Sequence, residues 1–138
     1  MNNFKRSLAP LLVNELEKQQ PVFQVLTGPR QVGKTTIAQQ VMDKLPFPSL
    51  YASADSPLPP GPEWIETQWR RAEVESDRTG GAVLLVLDEV QKVRGWSESL
   101  KSKWDAAIRY PVAQILIVGG NGIPLQEFFA TPAEMWLV

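Results

Sequence analysis

The chain has 138 residues, of which 43% are hydrophobic and 21% are charged, as is typical of one globular domain with a buried core. Fourteen basic residues against fifteen acidic ones leave a formal net charge of −1, which argues against a surface dedicated to nucleic acid or acidic membrane. The absence of cysteine and histidine excludes disulfides, thiolate nucleophiles, Ser-His-Asp triads and Cys/His zinc sites. Any bound metal must take oxygen ligands, which favours Mg²⁺.

The amino-terminal segment and the apolar runs predict a protein without a membrane segment. Residues 1–20 contain acidic side chains and lack the apolar stretch of a signal peptide. No run of the chain reaches the roughly 18 apolar residues that a membrane-spanning helix requires. We therefore expect an intracellular, cytoplasmic protein.

Apolar periodicity predicts helices that alternate with buried strands. Apolar side chains four residues apart favour helices, and continuous apolar runs favour strands buried on both faces. The predicted helices cover 4–19, 34–45, 63–76 and a segment capped by Ser97, and the predicted strands cover 21–27, 49–53, 82–87 and 114–118. Residues 54–63, with four prolines, predict a loop, and residues 77–81 predict a turn. This alternation indicates βαβ units, and hence an α/β fold with a mostly parallel sheet.

The segment GPRQVGKTT follows the first predicted strand and opens the second predicted helix. Gly28, Gly33, Lys34 and Thr35 match the pattern G-x-x-x-x-G-K-[ST] in full. A loop that wraps a phosphate turns successive backbone N–H groups inward, which glycine permits, and the following helix directs its first N–H groups at the anion. The motif therefore predicts a nucleotide site, in which Lys34 contacts the β- and γ-phosphates and Thr35 ligates Mg²⁺.

The other residues of this segment belong to the same predicted nucleotide site. They are Pro29, Arg30, Gln31, Val32 and Thr36. Arg30 and Gln31 fit solvated loop positions equally well, and Thr36 fits a helix-surface position as well as a secondary contact. A strand–helix turn with an incidental lysine is the alternative for the whole motif, and the elements on its two sides argue against it.

Two carboxylates, Asp88 and Glu89, follow the most apolar predicted strand. A nucleotide site of this kind requires a carboxylate beside the phosphate loop to hold Mg²⁺ through its water shell. A second carboxylate one residue later can polarise the attacking water. We therefore predict that Asp88 binds the metal and that Glu89 acts as general base or positions the water. A solvated strand end is the alternative.

A polar residue and an apolar segment follow the last predicted strand. Asn121 is predicted to orient the water against the γ-phosphate, and a Gly-Asn turn accounts for the same residue equally well. Residues 122–138 form an apolar tail, which either packs on the sheet or is covered by a partner. The sequence assigns no arginine to the γ-phosphate.

Four segments resemble those of a known family in their residues and in their order along the chain. RSLAPLL (6–12), LTGPRQVGKTT (26–36), YASADSP (51–57) and VLLVLDEVQKVRGWSESLKSKWD (83–105) are similar to segments of the prokaryotic AAA-type ATPases, whose phosphate loop reads GPRQVGKTT and whose acidic strand ends in LDEVQ or LDEIQ. The resemblance covers roughly residues 4–121. It implies a P-loop NTPase three-layer sandwich, ATP as the nucleotide and Mg²⁺ as its metal.

The resemblance also implies roles for particular residues. The Walker A residues would be Gly28, Gly33, Lys34 and Thr35, and the Walker B pair would be Asp88 and Glu89. Asp55 and Gln91 stand where the family usually has Asp and Gln, and Asp55 equally fits a loop cap. The chain departs from the family at Gly119-Gly120-Asn121, where relatives have Gly-Ser-Ser or Gly-Ser-Asn.

The length of the chain is the second departure from the family. Relatives continue with a helical lid and a C-terminal domain, often nuclease-like in fold, whereas this chain stops at Val138. We expect a single AAA-type ATPase core over 1–138 that lacks both parts, with 122–138 as an atypical tail. The predicted function is Mg²⁺-dependent ATP hydrolysis, and the alternative is a nucleotide-binding module without turnover. A homo-oligomer or a protein partner would cover the tail, and nucleic acid binding has no support in the sequence.

Overall fold

The computed structural model describes residues 2–18, 23–28, 33–109, 113–119 and 133–137. Helices and strands alternate along most of this length. The helices are α1 (Asn2–Glu17), α2 (Lys34–Lys44), α3 (Glu63–Thr79) and α4 (Trp96–Arg109). The strands are β1 (Phe23–Thr27), β2 (Ser49–Ser53), β3 (Val83–Asp88), β4 (Ala113–Gly119) and β5 (Ala133–Leu137), and a 3-10 turn, Val90–Lys92, follows β3.

The described strands form one sheet in the order β2-β3-β4-β1-β5. Each pairing between neighbours in this order is parallel. Thr27, at the end of β1, pairs with Gly119 of β4, and Asp88, at the end of β3, pairs with Val118 of the same strand. The carboxyl ends of β1 and β3 therefore flank β4 at one edge of the sheet, which is where ligands bind in such folds.

Helices cover both faces of this sheet because successive residues of a buried strand point in opposite directions. Leu84 and Val86 of β3 pack with apolar side chains of α1 and α2, including Leu12 and Ile37. The intervening residues of β3 pack with apolar side chains of α3 and α4. The result is a three-layer α/β sandwich, and it confirms the fold class predicted from the sequence.

Two local predictions differ from the structure. Asp77–Thr79 continue α3 instead of starting a turn, and the helix ends only at Gly80, whose φ of 76° is one that glycine adopts without strain. Ser97 does not cap α4 but lies in its first turn. The carbonyl of Gly95 accepts the first bond of this helix, from the Ser99 N–H at 3.2 Å.

The end of the apolar tail is the fifth strand of the sheet. Ala133–Leu137 pair in parallel with the whole of β1, so this stretch extends the sheet at its edge. The half-buried Trp136 packs on the cluster beneath α1 and α2, and its Nε1 donates a hydrogen bond of 2.7 Å to Oε1 of buried Gln24. A polar bond and an apolar contact therefore both hold β5 in place.

Trp136→Phe is expected to lower the free energy of unfolding by about 1–2 kcal/mol, because an aromatic ring remains while the buried Gln24 oxygen loses a donor. Urea denaturation followed by circular dichroism measures the change. In a Gln24→Leu background the same substitution should cost less than half as much. Equal costs in the two backgrounds would show that the indole N–H does not act through Gln24.

Candidate functional site

A cleft of about 440 Å³ lies at the carboxyl edge of the sheet, beside the start of α2. Several separate segments of the chain line it, and all its side chains are polar or charged. The lining residues are Gly33, Lys34, Thr35, Thr36, Asp55, Asp88, Glu89 and Lys92. A second cavity of about 420 Å³, between Leu50 of β2 and the outer face of α3, includes none of the predicted site residues.

The start of α2 presents an anion-binding geometry to this cleft. Gly33 precedes the helix with a φ of 89°, a left-handed conformation that a side chain would strain. Its carbonyl accepts the first helical hydrogen bond, from the Ile37 N–H at 2.9 Å. The first N–H groups of a helix have no acceptor within it, and they carry the positive end of the helix dipole. The exposed Thr35 and Thr36 flank this end of α2 at the cleft wall.

Lys34 lies at the base of the cleft, with only 7% of its surface exposed. Its Nζ donates a hydrogen bond of 2.9 Å to the carbonyl oxygen of Gly28. The bond joins the first glycine of the motif to its lysine, and it fixes the ammonium group beside the end of β1. A long, flexible side chain is thereby held where an anion would meet it.

Asp88 ends β3 and is also 7% exposed, so its carboxyl group lies in a desolvated position. Burial raises the pKa of Asp88 above its usual range, and a hydrogen bond from the Tyr51 hydroxyl to Asp88 Oδ2 acts in the opposite direction. Burial, followed by this bond to Asp88, also raises the pKa of Tyr51. The phenol therefore keeps its proton and remains a hydrogen-bond donor to the carboxylate.

Glu89 takes a left-handed backbone conformation, with φ 58° and ψ 36°, and is the one non-glycine residue with positive φ in the described part of the chain. Such a conformation costs an L-residue about 1–2 kcal/mol, and backbone outliers of this kind cluster at functional sites. Gln91 donates a hydrogen bond from Nε2 to Glu89 Oε2. The turn takes Glu89 out of the strand direction of β3, and its side chain lines the cleft.

Glu89→Gly is expected to give a protein about 1 kcal/mol more stable than Glu89→Ala, because glycine adopts this conformation without strain. Both variants lose the carboxylate, so the difference between their free energies of unfolding reports the backbone strain at this position alone. Guanidinium denaturation of the two variants measures it. At Glu73, an exposed residue within α3, the same pair of substitutions should show the opposite order, by about 1 kcal/mol. A glycine variant less stable at both positions would contradict the strain at Glu89.

The structure adds two residues that the sequence prediction missed. Lys92 lines the cleft, and its Nζ lies 2.7 Å from Asp55 Oδ1, so an ion pair joins the segment after β2 to the 3-10 turn after β3. Tyr51 contacts Asp88 from the neighbouring strand. Each contact joins residues 37 positions apart, and no short motif contains both members. The members of each pair meet because β2 lies beside β3 in the sheet.

Some predicted residues lie outside the described part of the chain. They are Pro29, Arg30, Gln31 and Val32 of the phosphate loop, and Asn121 after β4. Their roles remain predictions from the sequence. Of the described members of the two motifs, Gly33 to Thr36, Asp88 and Glu89 line one cleft. Gly28 does not line it; this residue is buried directly after β1, where its carbonyl oxygen accepts the hydrogen bond from Lys34.

The oxygen donors of this cleft fit Mg²⁺. Thr35 offers a hydroxyl group and Asp88 a carboxylate, both of the hard type that this ion prefers. In the described residues, no group of three or more acidic side chains forms a metal cage. Magnesium usually takes one or two protein oxygens and completes its shell with phosphate oxygens and water, so two donors beside an anion site suffice.

A family model described as an AAA domain matches residues 20–133. No curated protein sequence matches the chain. Within the described residues, no helix has the length and apolarity that crossing a membrane requires.

Solved structures confirm the fold. The chain is similar to C. elegans PCH-2, with 15% identity and a TM-score of 0.68 over 99% of this chain and 43% of that one. It is similar to a chain of the E. coli MS115-1 HORMA:CdnC:Trip13 complex, with 16% identity and a TM-score of 0.67 over 99% of this chain and 58% of that one. It is also similar to the Thermotoga maritima RuvB Holliday junction branch migration motor, with 15% identity and a TM-score of 0.64 over 100% and 45% of the two chains. The chain spans about half the length of these proteins.

Proposed function

Since the chain belongs to this AAA domain family, we propose that it binds Mg²⁺-ATP and hydrolyses the bond to the γ-phosphate. The observation that carries the proposal is the meeting of two distant segments in one polar cleft. Lys34 and Thr35 come from the start of α2, and Asp88 and Glu89 come from the end of β3. Each is of the chemical type that phosphoryl transfer requires at its position.

The phosphate groups would bind at the start of α2. The first N–H groups of the helix, together with the ammonium of Lys34, supply positive charge on one side of the cleft. The bond from Lys34 to Gly28 already restricts this ammonium, so little side-chain freedom is lost when phosphate binds. Thr35 and Asp88 would hold the metal, which neutralises charge that develops on the phosphate oxygens.

Glu89 would accept a proton from the water that attacks the γ-phosphorus, while ADP leaves with the electron pair of the broken P–O bond. Gln91 supports this role, because its Nε2 donates a hydrogen bond to Glu89 Oε2 and so restricts the direction of the carboxylate.

A nucleotide-binding module with slow or no turnover is the second candidate, and one observation favours it. Among the described residues, the cleft wall contains two lysines but no arginine. An arginine at the γ-phosphate contributes about 10³–10⁵ to the rate in related chemistry. The chain alone would then bind ATP, and hydrolysis would require a cationic side chain from a second copy or a partner protein. Self-association, a protein partner and a cytoplasmic location remain proposals.

A paired measurement on the purified chain distinguishes the two candidate functions. Mg²⁺-ATP at 100 times its dissociation constant should stabilise the fold by about 2.7 kcal/mol, seen as a higher melting temperature, whereas adenosine should not. Phosphate release in the same samples should stop when EDTA removes Mg²⁺. Stabilisation without phosphate release would favour the binding module. No stabilisation by Mg²⁺-ATP would refute both candidates.

A further inference from the structure

We propose that Tyr51 is the positioning residue of the metal carboxylate: its phenol fixes Asp88 through Oδ2 and so sets the Mg²⁺ affinity of the site. The inference rests on the proposed function, in which Asp88 holds Mg²⁺. Tyr51 itself does not line the cleft, so it acts on the metal through Asp88.

The strand register explains why Tyr51 reaches Asp88. Ser53 of β2 is the direct partner of Asp88, and Tyr51 is the partner of Val86, two positions earlier. Partners in neighbouring strands and alternate residues within a strand share one face of the sheet, so Tyr51 and Asp88 point to the same side. A rise of about 3.3 Å per residue and a strand spacing of about 4.8 Å separate their Cα atoms by about 8 Å. A tyrosine side chain spans this diagonal, whereas a serine at the same position would not.

The surroundings of Tyr51 indicate that its hydroxyl group matters more than its ring. Its strand, β2, lies at the edge of the described sheet, and the residue is 39% exposed, so the ring is only partly buried and does not belong to the core. The hydroxyl group, in contrast, contacts a carboxylate that is almost fully buried. Replacement by phenylalanine therefore removes the bond to Asp88 and leaves most of the packing intact.

The hydrogen bond from Tyr51 restricts the orientation of the Asp88 carboxylate, which is the proposed metal ligand. A carboxylate rotates about its terminal bond, and a donor on one oxygen fixes the direction of the other. Side chains that hydrogen-bond to metal ligands in this way typically contribute 10–100-fold to metal affinity. The phenol of Tyr51 is a side-chain donor to Asp88 Oδ2 in the described structure, so we expect its removal to change the Mg²⁺ affinity.

The test is Tyr51→Phe, with nucleotide affinity measured by calorimetry across a Mg²⁺ titration and again in EDTA. We expect the half-saturating Mg²⁺ concentration to rise about 10-fold or more, while the affinity for ATP without metal stays within about twofold of wild type. Ser49→Ala is the matched control. It removes a hydroxyl group from the same face of the same strand, and Ser49 Oγ makes no hydrogen bond in the described structure. Its Mg²⁺ dependence should equal that of wild type.

A double variant distinguishes a role of Tyr51 in positioning Asp88 from a general loss of structure. In an Asp88→Asn background, Tyr51→Phe should have no further effect on the Mg²⁺ dependence, because the ligand that it orients is gone. Equal Mg²⁺ dependence of wild type and Tyr51→Phe would overturn the inference and leave the proposed function standing. Loss of metal-free ATP affinity in Tyr51→Phe would also overturn it, in favour of a structural role. A wild-type chain that binds no Mg²⁺-ATP would overturn the proposed function itself.

Discussion

Lys34→Ala is expected to weaken Mg²⁺-ATP binding by about 100-fold, which corresponds to nearly 3 kcal/mol. The side chain is almost fully buried at the base of the cleft, where water screens its charge poorly. Removing it deletes a charged hydrogen-bond donor to the phosphates and leaves the α2 N–H groups and the metal to hold the anion. The substitution also removes the bond to Gly28, so the phosphate loop loses the contact that joins its two ends.

Calorimetric titration of wild type and variant with Mg²⁺-ATP measures this effect. Lys44→Ala is the matched control, because Lys44 is exposed in the last turn of the same helix, about 15 Å from Lys34. The control should bind as wild type does. Urea denaturation of each variant distinguishes loss of binding from loss of fold. A Lys34→Ala chain that is folded and binds with wild-type affinity would refute the assignment of this loop to the phosphates.

Glu89→Gln is expected to reduce the rate of phosphate release by about 10²–10⁴-fold while ATP binding stays within a few-fold of wild type. The amide has nearly the same shape as the carboxylate but cannot take up the proton of the attacking water. Its oxygen can still accept the hydrogen bond from Gln91, and the left-handed backbone is as costly for glutamine as for glutamate. The substitution therefore isolates proton transfer from the architecture of the turn.

Phosphate release and calorimetry on the same preparation test this prediction. Glu73→Gln, which makes the same chemical change on the exposed face of α3, should retain both binding and turnover. Single-turnover measurement with labelled ATP extends the comparison to slow rates. Turnover above half of the wild-type rate in Glu89→Gln would remove Glu89 from the role of general base.

The two motifs were predictable from the sequence because each occupies a short stretch of chain with its own local signature. The pattern from Gly28 to Thr35 specifies a helix start, and the apolar run before Asp88 specifies a buried strand. Parallel strands with helical connections must end at the same edge of a sheet. The meeting of the two motifs therefore followed from local patterns and one topological rule.

Other features arise from contacts between residues far apart in the chain. Leu137 of β5 pairs with Thr27 of β1, and the short apolar stretch before Val138 becomes a strand because that partner is in place. The left-handed turn at Glu89 is equally absent from the sequence pattern, since glutamate seldom adopts it and the surrounding fold imposes it.

The start of α2 at Lys34, the acidic end of β3 and the α/β class thus depend on neighbouring residues, whose dihedral preferences and burial act over a few positions. The contacts of Tyr51 with Asp88 and of Asp55 with Lys92 do not, because each depends on which strands lie side by side and in what register. A shift of β2 by one residue would turn Tyr51 to the other face of the sheet and away from the carboxylate.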